Sequence, residues 1–312
     1  MSRGSIVFAT FAALLVLVLA LATAACGTID SPPGGDGSSS SSTSTPDRSS
    51  TTLPAGAISH PTGADEVVLR VSTGGGFVPI EYNYTMVPEF TLYGDGRIIV
   101  TGPMTEQFPG RALPNLQTTV VSEDAIQAIL AAAKEAGLFQ NEVDYGSPGV
   151  ADVGTTTITV NAGGTSYWSQ IYALGFEEGG NLTLQQQQAR AAISDLLGKV
   201  SDPSTLTSVQ LTWEPYDFTA LAVYSRPVDP SLTTDPTDIQ PNHLPWPLAD
   251  LATSGEEVAN YKGLRKVVVS GDDLATLKPL LDKATQITLW RSGDADYNLW
   301  FRPLLPDEAA RL

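Results

Sequence analysis

The sequence predicts an α+β protein in which two units of antiparallel hairpins each pack with one or two helices. Three observations support this fold class. Apolar runs of strand length flank turn sequences such as Gly94-Asp95-Gly96. Two amphipathic stretches begin at the capping residues Ser122 and Thr183. The second of these stretches ends at Asp202-Pro203, where we place the boundary between the units because proline cannot continue a helix.

The first unit is predicted to consist mainly of short strands. Ile80, Tyr82 and Tyr84 alternate with polar residues, which is the two-residue period of a half-buried strand. A second hairpin is expected to turn at Ala162-Gly163-Gly164. The strands predicted in this unit are residues 67–71, 80–85, 90–93, 97–100, 155–160 and 165–172.

Two helices are predicted between and after these hairpins. The first begins after Ser122, has acidic residues in its first turn and ends before Gly137. The second begins after Thr183, where Gln186 completes a capping box. The residues expected on their buried faces are Ile126, Ile129, Leu130 and Ala133 in the first helix, and Ala189, Ile193, Leu196, Leu197 and Val200 in the second.

The second unit repeats the strand, acidic-capped helix and hairpin order, so an internal duplication stays open. Its helix is expected to begin at Asp272 or Asp273, and Pro279 is expected to kink it or delay its start. Prolines 227, 230, 236, 241, 245 and 247 indicate a long irregular segment. The strands predicted here are residues 209–213, 220–224, 266–269, 287–290 and 297–301.

The first residues indicate where the protein resides. After Arg3, residues 6–25 carry no charge, and small residues precede Cys26, the only cysteine of the chain. This arrangement resembles the lipobox of bacterial lipoprotein precursors, with Thr23 where leucine is usual. The resemblance covers about the first 27 residues, and it implies removal of residues 1–25 and lipidation of Cys26.

Two other interpretations of this segment remain. A plain secretion signal would release a soluble protein with a free thiol, and an uncleaved apolar segment of about 20 residues would span a bilayer. We expect the lipid anchor on the extracytoplasmic face of the cell membrane. Residues 26–64 are then predicted to be a disordered Ser/Thr/Gly/Pro linker that carries the units 65–202 and 203–312.

The composition excludes several classes of function. The net charge of −17 repels phosphate backbones, so nucleic acid is not expected as a partner. The chain has two histidines: His60 lies in the predicted linker and His243 in a proline-rich loop, so no catalytic residue, metal site or cofactor is predicted. Adjacent acidic pairs are interpreted as solvated turns and caps, and residues 294–298 as a hairpin turn in preference to a Ca²⁺ loop.

Aromatic residues give the leading hypothesis for binding. In the last hairpin, Trp290 and Trp300 are predicted to share a polar-biased face, away from Leu299 and Phe301. Trp168 is a further candidate, and burial of these rings under a helix is the alternative. The sequence therefore suggests a non-catalytic binding or interaction module of the cell envelope, whose partner would be a cell-wall polymer or an envelope protein. A carboxylate-based enzyme acting on cell-wall polysaccharide is the alternative.

Overall fold

Two sheets and five helices form the part of the chain that the structure describes, and the predicted α+β fold class is confirmed. A computed structural model describes residues 56–177, 180–206, 210–229, 231 and 239–312. The predicted signal segment, Cys26 and the linker up to residue 55 lie outside the described residues, as do Glu178, Val209, Pro230 and Pro236. No helix in the described part of the chain is long and apolar enough to cross a bilayer.

The first sheet has seven strands in the order β6-β5-β1-β2-β3-β4-β7, and every neighbouring pair is antiparallel. Both predicted hairpins are present, because Gly94-Asp95-Gly96 joins β2 to β3 and Gly163-Gly164 joins β5 to β6. Gly96 has a φ of 86°, a conformation that favours glycine. The strands are β1 (Val67–Gly74), β2 (Phe90–Tyr93), β3 (Arg97–Thr101), β4 (Leu116–Val120), β5 (Thr155–Ala162), β6 (Thr165–Tyr172) and β7 (Glu214–Pro215).

The two predicted helices pack on this sheet. Helix α2 (Glu123–Glu135) buries Ile126, Ile129, Leu130 and Ala133, as its spacing predicts. Helix α3 (Leu184–Ser201) begins with the predicted capping box of Thr183 and Gln186. Its buried face also contains Arg190, which is 0% exposed and was not expected there.

The second sheet has six strands in the order β10-β11-β8-β13-β12-β9. Helix α4 (Gly271–Leu281) begins at the expected place and continues through Pro279, which lies in its last turn. A short helix, α5 (Pro306–Ala309), follows the last strand. The strands are β8 (Ala220–Pro227), β9 (His243–Pro245), β10 (Glu256–Glu257), β11 (Arg265–Ser270), β12 (Leu289–Ser292) and β13 (Ala295–Pro303).

One predicted strand is a helix. Residues 80–85 form α1 (Ile80–Thr85), a six-residue helix that follows Pro79. Ile80 and Tyr84 both pack on the cluster around Tyr224 and Leu264. A spacing of four residues fits both a two-residue and a 3.6-residue period, so the alternation in such a short segment could not distinguish strand from helix.

Two further predictions for the second unit are wrong. Residues 210–213 form no strand, and their apolar side chains, Leu211 and Trp213, pack on the first core. The alternating apolar side chains of this segment are therefore buried, although its backbone is not part of a sheet. His243–Pro245, predicted as irregular, forms β9, which pairs in parallel with β12.

The end of the predicted linker packs on α2. Gln127 exchanges two hydrogen bonds with the backbone of Ile58, at 2.8 and 2.9 Å. The His60 side chain is 2% exposed, and its Nε2 lies 3.1 Å from Glu123 Oε1. Contacts with α2 therefore hold Ile58 and His60, which lie near the end of the segment predicted to be a linker.

Candidate functional site

A pocket of about 610 Å³ opens between α1 and β13. It combines residues from opposite ends of the folded part, because α1 precedes β2 whereas β13 is the last strand. Most of its wall is apolar or aromatic. The principal apolar lining residues are Pro79, Met86, Val87, Met104, Leu299 and Trp300.

Stacked tyrosines hold α1 against the second sheet. The Tyr84 ring stacks on the ring of Tyr224 in β8, with centroids 5.4 Å apart and planes 20° apart. Tyr261 meets Tyr84 edge to face at 5.9 Å. Burial raises the pKa of the Tyr224 hydroxyl, so this side chain stays neutral at ordinary pH. The Tyr84–Tyr224 stack also lines a second cavity of about 580 Å³.

An ion pair fixes the same helix beneath the pocket. Glu81 is 6% exposed, and its Oε1 lies 2.5 Å from Arg226 Nη1 in β8. This contact lacks the alignment of a hydrogen bond, so it is an electrostatic contact between two charges. The Arg226 side chain is 39% exposed, so water still reaches the cation, whereas the Glu81 carboxylate is buried and depends on Arg226 for a compensating charge.

The chain leaving α1 is tied to β13. The guanidinium of Arg302 donates a 2.8 Å hydrogen bond from Nε to the carbonyl of Met86. Its two other nitrogens donate to the carboxylate of Glu308, at 2.9 and 2.6 Å. Arg302 therefore joins the pocket wall at Met86 to both β13 and α5.

The opposite wall comes from the segment between β3 and β4. Gln286 donates a backbone hydrogen bond to the carbonyl of Gly110, and Ala112 donates one to the carbonyl of Ala284, at 3.0 and 3.2 Å. Ala112, Pro114 and Gln286 line the pocket from this side. Hydrogen bonds therefore hold both walls: Arg302 of β13 ties down the α1 side, and the segment between α4 and β12 ties down the opposite side.

Polar groups also line the pocket. Glu89 is exposed, Arg111 lies 3.7 Å from the carboxylate of Asp282, and Gln286 contributes an amide side chain. The other polar lining residues are Glu81, Tyr82, Thr85 and Thr101. A cavity that combines apolar walls with polar groups is typical of small-molecule sites, which usually measure about 300–1,000 Å³.

The predicted pairing of Trp290 with Trp300 on one face is wrong. A two-residue turn at Gly293-Asp294 pairs Trp290 with Tyr297, so Trp290 faces the core with Phe301. Trp290 is 0% exposed. The expected facing assumed that Leu289 and Leu299 share a side, whereas this register places Leu289 opposite Asn298.

The other two tryptophan candidates lie apart from each other. Trp300 is partly buried and lines the pocket. Trp168 is 54% exposed on β6, the outer strand of the first sheet, and is not among the residues that line the pocket. Of the three tryptophan candidates, Trp300 is therefore the one that lines this pocket.

The remaining candidates from the sequence form no comparable site. His243 is 59% exposed by side chain, and its Nδ1 lies 3.9 Å from Asp296 Oδ2. The hairpin turn predicted at residues 294–298 is shorter and begins earlier: Gly293-Asp294 form it, and residues 295–298 already belong to β13. Within the described ranges, no three His, Cys, Asp or Glu side chains converge as metal ligands.

Sequence reasoning missed most of this pocket. The alternation of residues 80–85 predicts a strand at Glu81, and nothing in the local sequence indicates that Glu81 contacts Arg226. The one available signal was Pro79, which often precedes or begins a short helix. No protein-family model matches the chain, and no curated protein or solved structure shows significant similarity to it.

Proposed function

We propose that this chain is an extracytoplasmic lipoprotein whose folded part binds a small molecule in the pocket between α1 and β13. The observation that carries the proposal is the pocket itself, which measures about 610 Å³ and is walled by Trp300, methionines and prolines. In this proposal the protein is a non-catalytic binding module of the cell envelope, and the lipid on Cys26 keeps it at the membrane.

The packing around the pocket supports binding in preference to a purely structural role. The Tyr84–Tyr224 stack and the contact of Glu81 with Arg226 hold α1 in place on one side. A cavity that exists before the ligand arrives lowers the entropic cost of binding. The apolar wall supplies the favourable free energy, about 25 cal/mol for each Å² of apolar surface removed from water.

Thermal unfolding in the presence of candidate ligands tests the binding proposal. Small molecules from an envelope extract are added to the full chain, and the unfolding midpoint is measured. A ligand at 100 times its dissociation constant stabilises the folded state by about 2.7 kcal/mol. We expect Ala112→Phe, which fills the pocket, and Trp300→Ala, which removes part of its wall, to abolish or weaken the shift.

Trp168→Ala is the matched control, because it removes an exposed tryptophan that does not line the pocket. It should leave the ligand-induced shift unchanged. The binding proposal fails if no envelope molecule shifts the midpoint, or if Ala112→Phe responds as the unaltered chain does.

The membrane anchor has its own test. The Cys26→Ser variant removes the thiol that the lipid would modify, so we expect the protein to leave the membrane fraction. Mass spectrometry of the unaltered chain should show a covalent lipid at Cys26. Retention of Cys26→Ser in the membrane, with residues 1–25 still attached, would support the uncleaved helix instead.

The carboxylate enzyme remains the alternative because Glu81 and Glu89 both line the pocket. Two carboxylates flanking a substrate are the catalytic requirement of most glycoside hydrolases. Release of soluble sugars from cell-wall polysaccharide, lost in Glu89→Gln, would favour the enzyme. The binding proposal predicts that no soluble sugars are released. It also predicts that at least one of the Glu81→Gln and Glu89→Gln variants still binds the ligand.

A further inference from the structure

Not every charged side chain that lines the pocket has a partner of opposite charge. Three charged side chains line it: Glu81, Glu89 and Arg111. Glu81 is compensated by Arg226 at 2.5 Å, and Arg111 faces Asp282 at 3.7 Å. Each of these two lining charges therefore has a partner of opposite sign outside the lining.

Glu89 is the lining charge whose side chain makes no ion pair within the described part of the chain. Its backbone is nevertheless fixed, because its N–H donates to the carbonyl of Val71 at 3.0 Å and its carbonyl accepts from Thr101 at 3.3 Å. The backbone position of Glu89 is therefore fixed at the pocket, and its exposed carboxylate is available to pair with a cationic group of a ligand.

The aromatic lining favours the same sign of ligand. Tyr82 and Trp300 contribute rings to the pocket, and the faces of such rings carry negative electrostatic potential. The chain as a whole has a net charge of −17, which raises the local concentration of cations and lowers that of anions.

We propose that the pocket takes a molecule with an apolar body and one positively charged amine, whose charge is met by Glu89 and whose body packs against Trp300. This inference rests on the proposed function, since it specifies the class of ligand for the same pocket. An anionic ligand would meet the Glu89 carboxylate with a charge of the same sign, and a neutral ligand would gain no ion pair from it.

Three probes of one shape and different charge test the proposal: 4-phenylbutylammonium, 4-phenylbutan-1-ol and 4-phenylbutyrate. Each is titrated by calorimetry into the full chain in nanodiscs of zwitterionic lipid, with empty nanodiscs as the blank. We expect the cation to bind at least about tenfold more tightly than the anion, with the alcohol between them. Raising the salt concentration should reduce this preference.

Glu89→Gln should remove the preference for the cation, so that the cation and the anion bind with similar affinity. Glu135→Gln is the matched control, because Glu135 is an exposed residue of α2 that does not line the pocket. It removes the same charge from the chain and should keep the preference intact.

The outcomes separate this inference from the proposed function. Equal binding of the three probes, or tighter binding of the anion, overturns the charge preference and leaves a binding pocket. A preference lost equally in Glu89→Gln and Glu135→Gln overturns the role of Glu89, since net charge alone would then explain it. If no probe binds, both proposals fail for this ligand class.

Discussion

Arg70 and Asp307, 237 residues apart in the chain, form a two-pronged ion pair that joins β1 of the first sheet to α5. Arg70 Nη2 donates to Asp307 Oδ1 at 2.6 Å, and Nη1 donates to Oδ2 at 3.1 Å. The hydroxyl of Tyr93 donates to the same carboxylate at 2.8 Å. Because Asp307 is 8% exposed, this network replaces the water that the carboxylate loses on folding.

Removing the arginine of this pair should destabilise the fold strongly. We expect Arg70→Ala to lower the free energy of unfolding by about 3–5 kcal/mol, because it leaves the Asp307 carboxylate buried without its cation. Urea unfolding followed by circular dichroism measures the change. Arg291→Ala is the matched control: the Arg291 side chain is 54% exposed, lies 3.4 Å from the Asp296 carboxylate, and should cost less than about 1 kcal/mol on removal.

The same network predicts how stability depends on pH. Burial alone would raise the pKa of Asp307, but the hydrogen bonds and charge of Arg70, together with the Tyr93 hydroxyl, hold that pKa below its ordinary value of 3.8. The stabilisation from ionised Asp307 is therefore complete above pH 3.8 and is lost as the pH falls through the lower folded-state pKa.

Asp307→Asn checks this dependence. The unaltered chain should be more stable than Asp307→Asn at pH 7, and the difference should shrink below pH 3.8. Asp65→Asn, at an exposed position, should show no comparable difference at either pH. A stability difference for Asp307→Asn that stays constant from pH 7 to pH 2.5 would contradict the assignment.

The two tryptophans of the last hairpin should behave differently on substitution. Trp290 is 0% exposed and contacts Trp246 and Phe301 edge to face, at centroid distances of 5.9 and 5.6 Å. Trp290→Ala should therefore cost about 3–5 kcal/mol of stability. Trp300→Ala should cost less and reduce ligand binding, since Trp300 is partly buried at the pocket. Equal losses of stability in the two variants, measured by urea unfolding, would contradict this division.

His60 should control how the segment before β1 packs on α2. Its Nδ1 lies 2.6 Å from the carbonyl of Pro61, and its Nε2 lies 3.1 Å from Glu123 Oε1. We expect His60→Ala to increase hydrogen exchange of residues 57–64 while β11 keeps its protection. His243→Ala, which alters the other histidine at a 59% exposed side chain, should leave exchange of residues 57–64 unchanged. Unaltered hydrogen exchange of residues 57–64 in His60→Ala would contradict this role of His60, because the Gln127 contacts alone would then hold the segment on α2.

Local chemistry predicted the parts of the fold that depend on neighbouring residues. Thr183 caps its helix together with Gln186, which completes the capping box only three residues later in the sequence. The turn at Gly94-Asp95-Gly96 forms because glycine accepts a φ of 86° at Gly96. Each of these signals lies within a few residues of the structure it specifies.

The features of the fold that the sequence did not predict depend on contacts between residues far apart in the chain. Arg190 is buried because the carbonyls of Tyr145 and Ala173 and the carboxylate of Glu177 accept its hydrogen bonds. Its partners Tyr145 and Ala173 lie outside α3, so helical periodicity could not reveal them. The register of the last hairpin likewise depended on a two-residue turn, and a shift of one residue moves every side chain to the other face.

The candidate site was the least predictable feature. Trp300 was identified as a candidate, but its neighbours across the pocket come from α1 and from the segment after β3. Neither the contact of Glu81 with Arg226 nor the stack of Tyr84 on Tyr224 has a local sequence signal. Such a pocket exists only once the two sheets are in place.

Native mass spectrometry of the full chain, extracted from its own membranes, tests the central claim most directly. The unaltered chain and Ala112→Phe are compared under identical conditions. The account predicts a non-covalent small molecule on the unaltered chain and none on Ala112→Phe, with the same covalent lipid on both. The same bound molecule on both proteins, or none on either, would contradict the claim that this cavity is a ligand site.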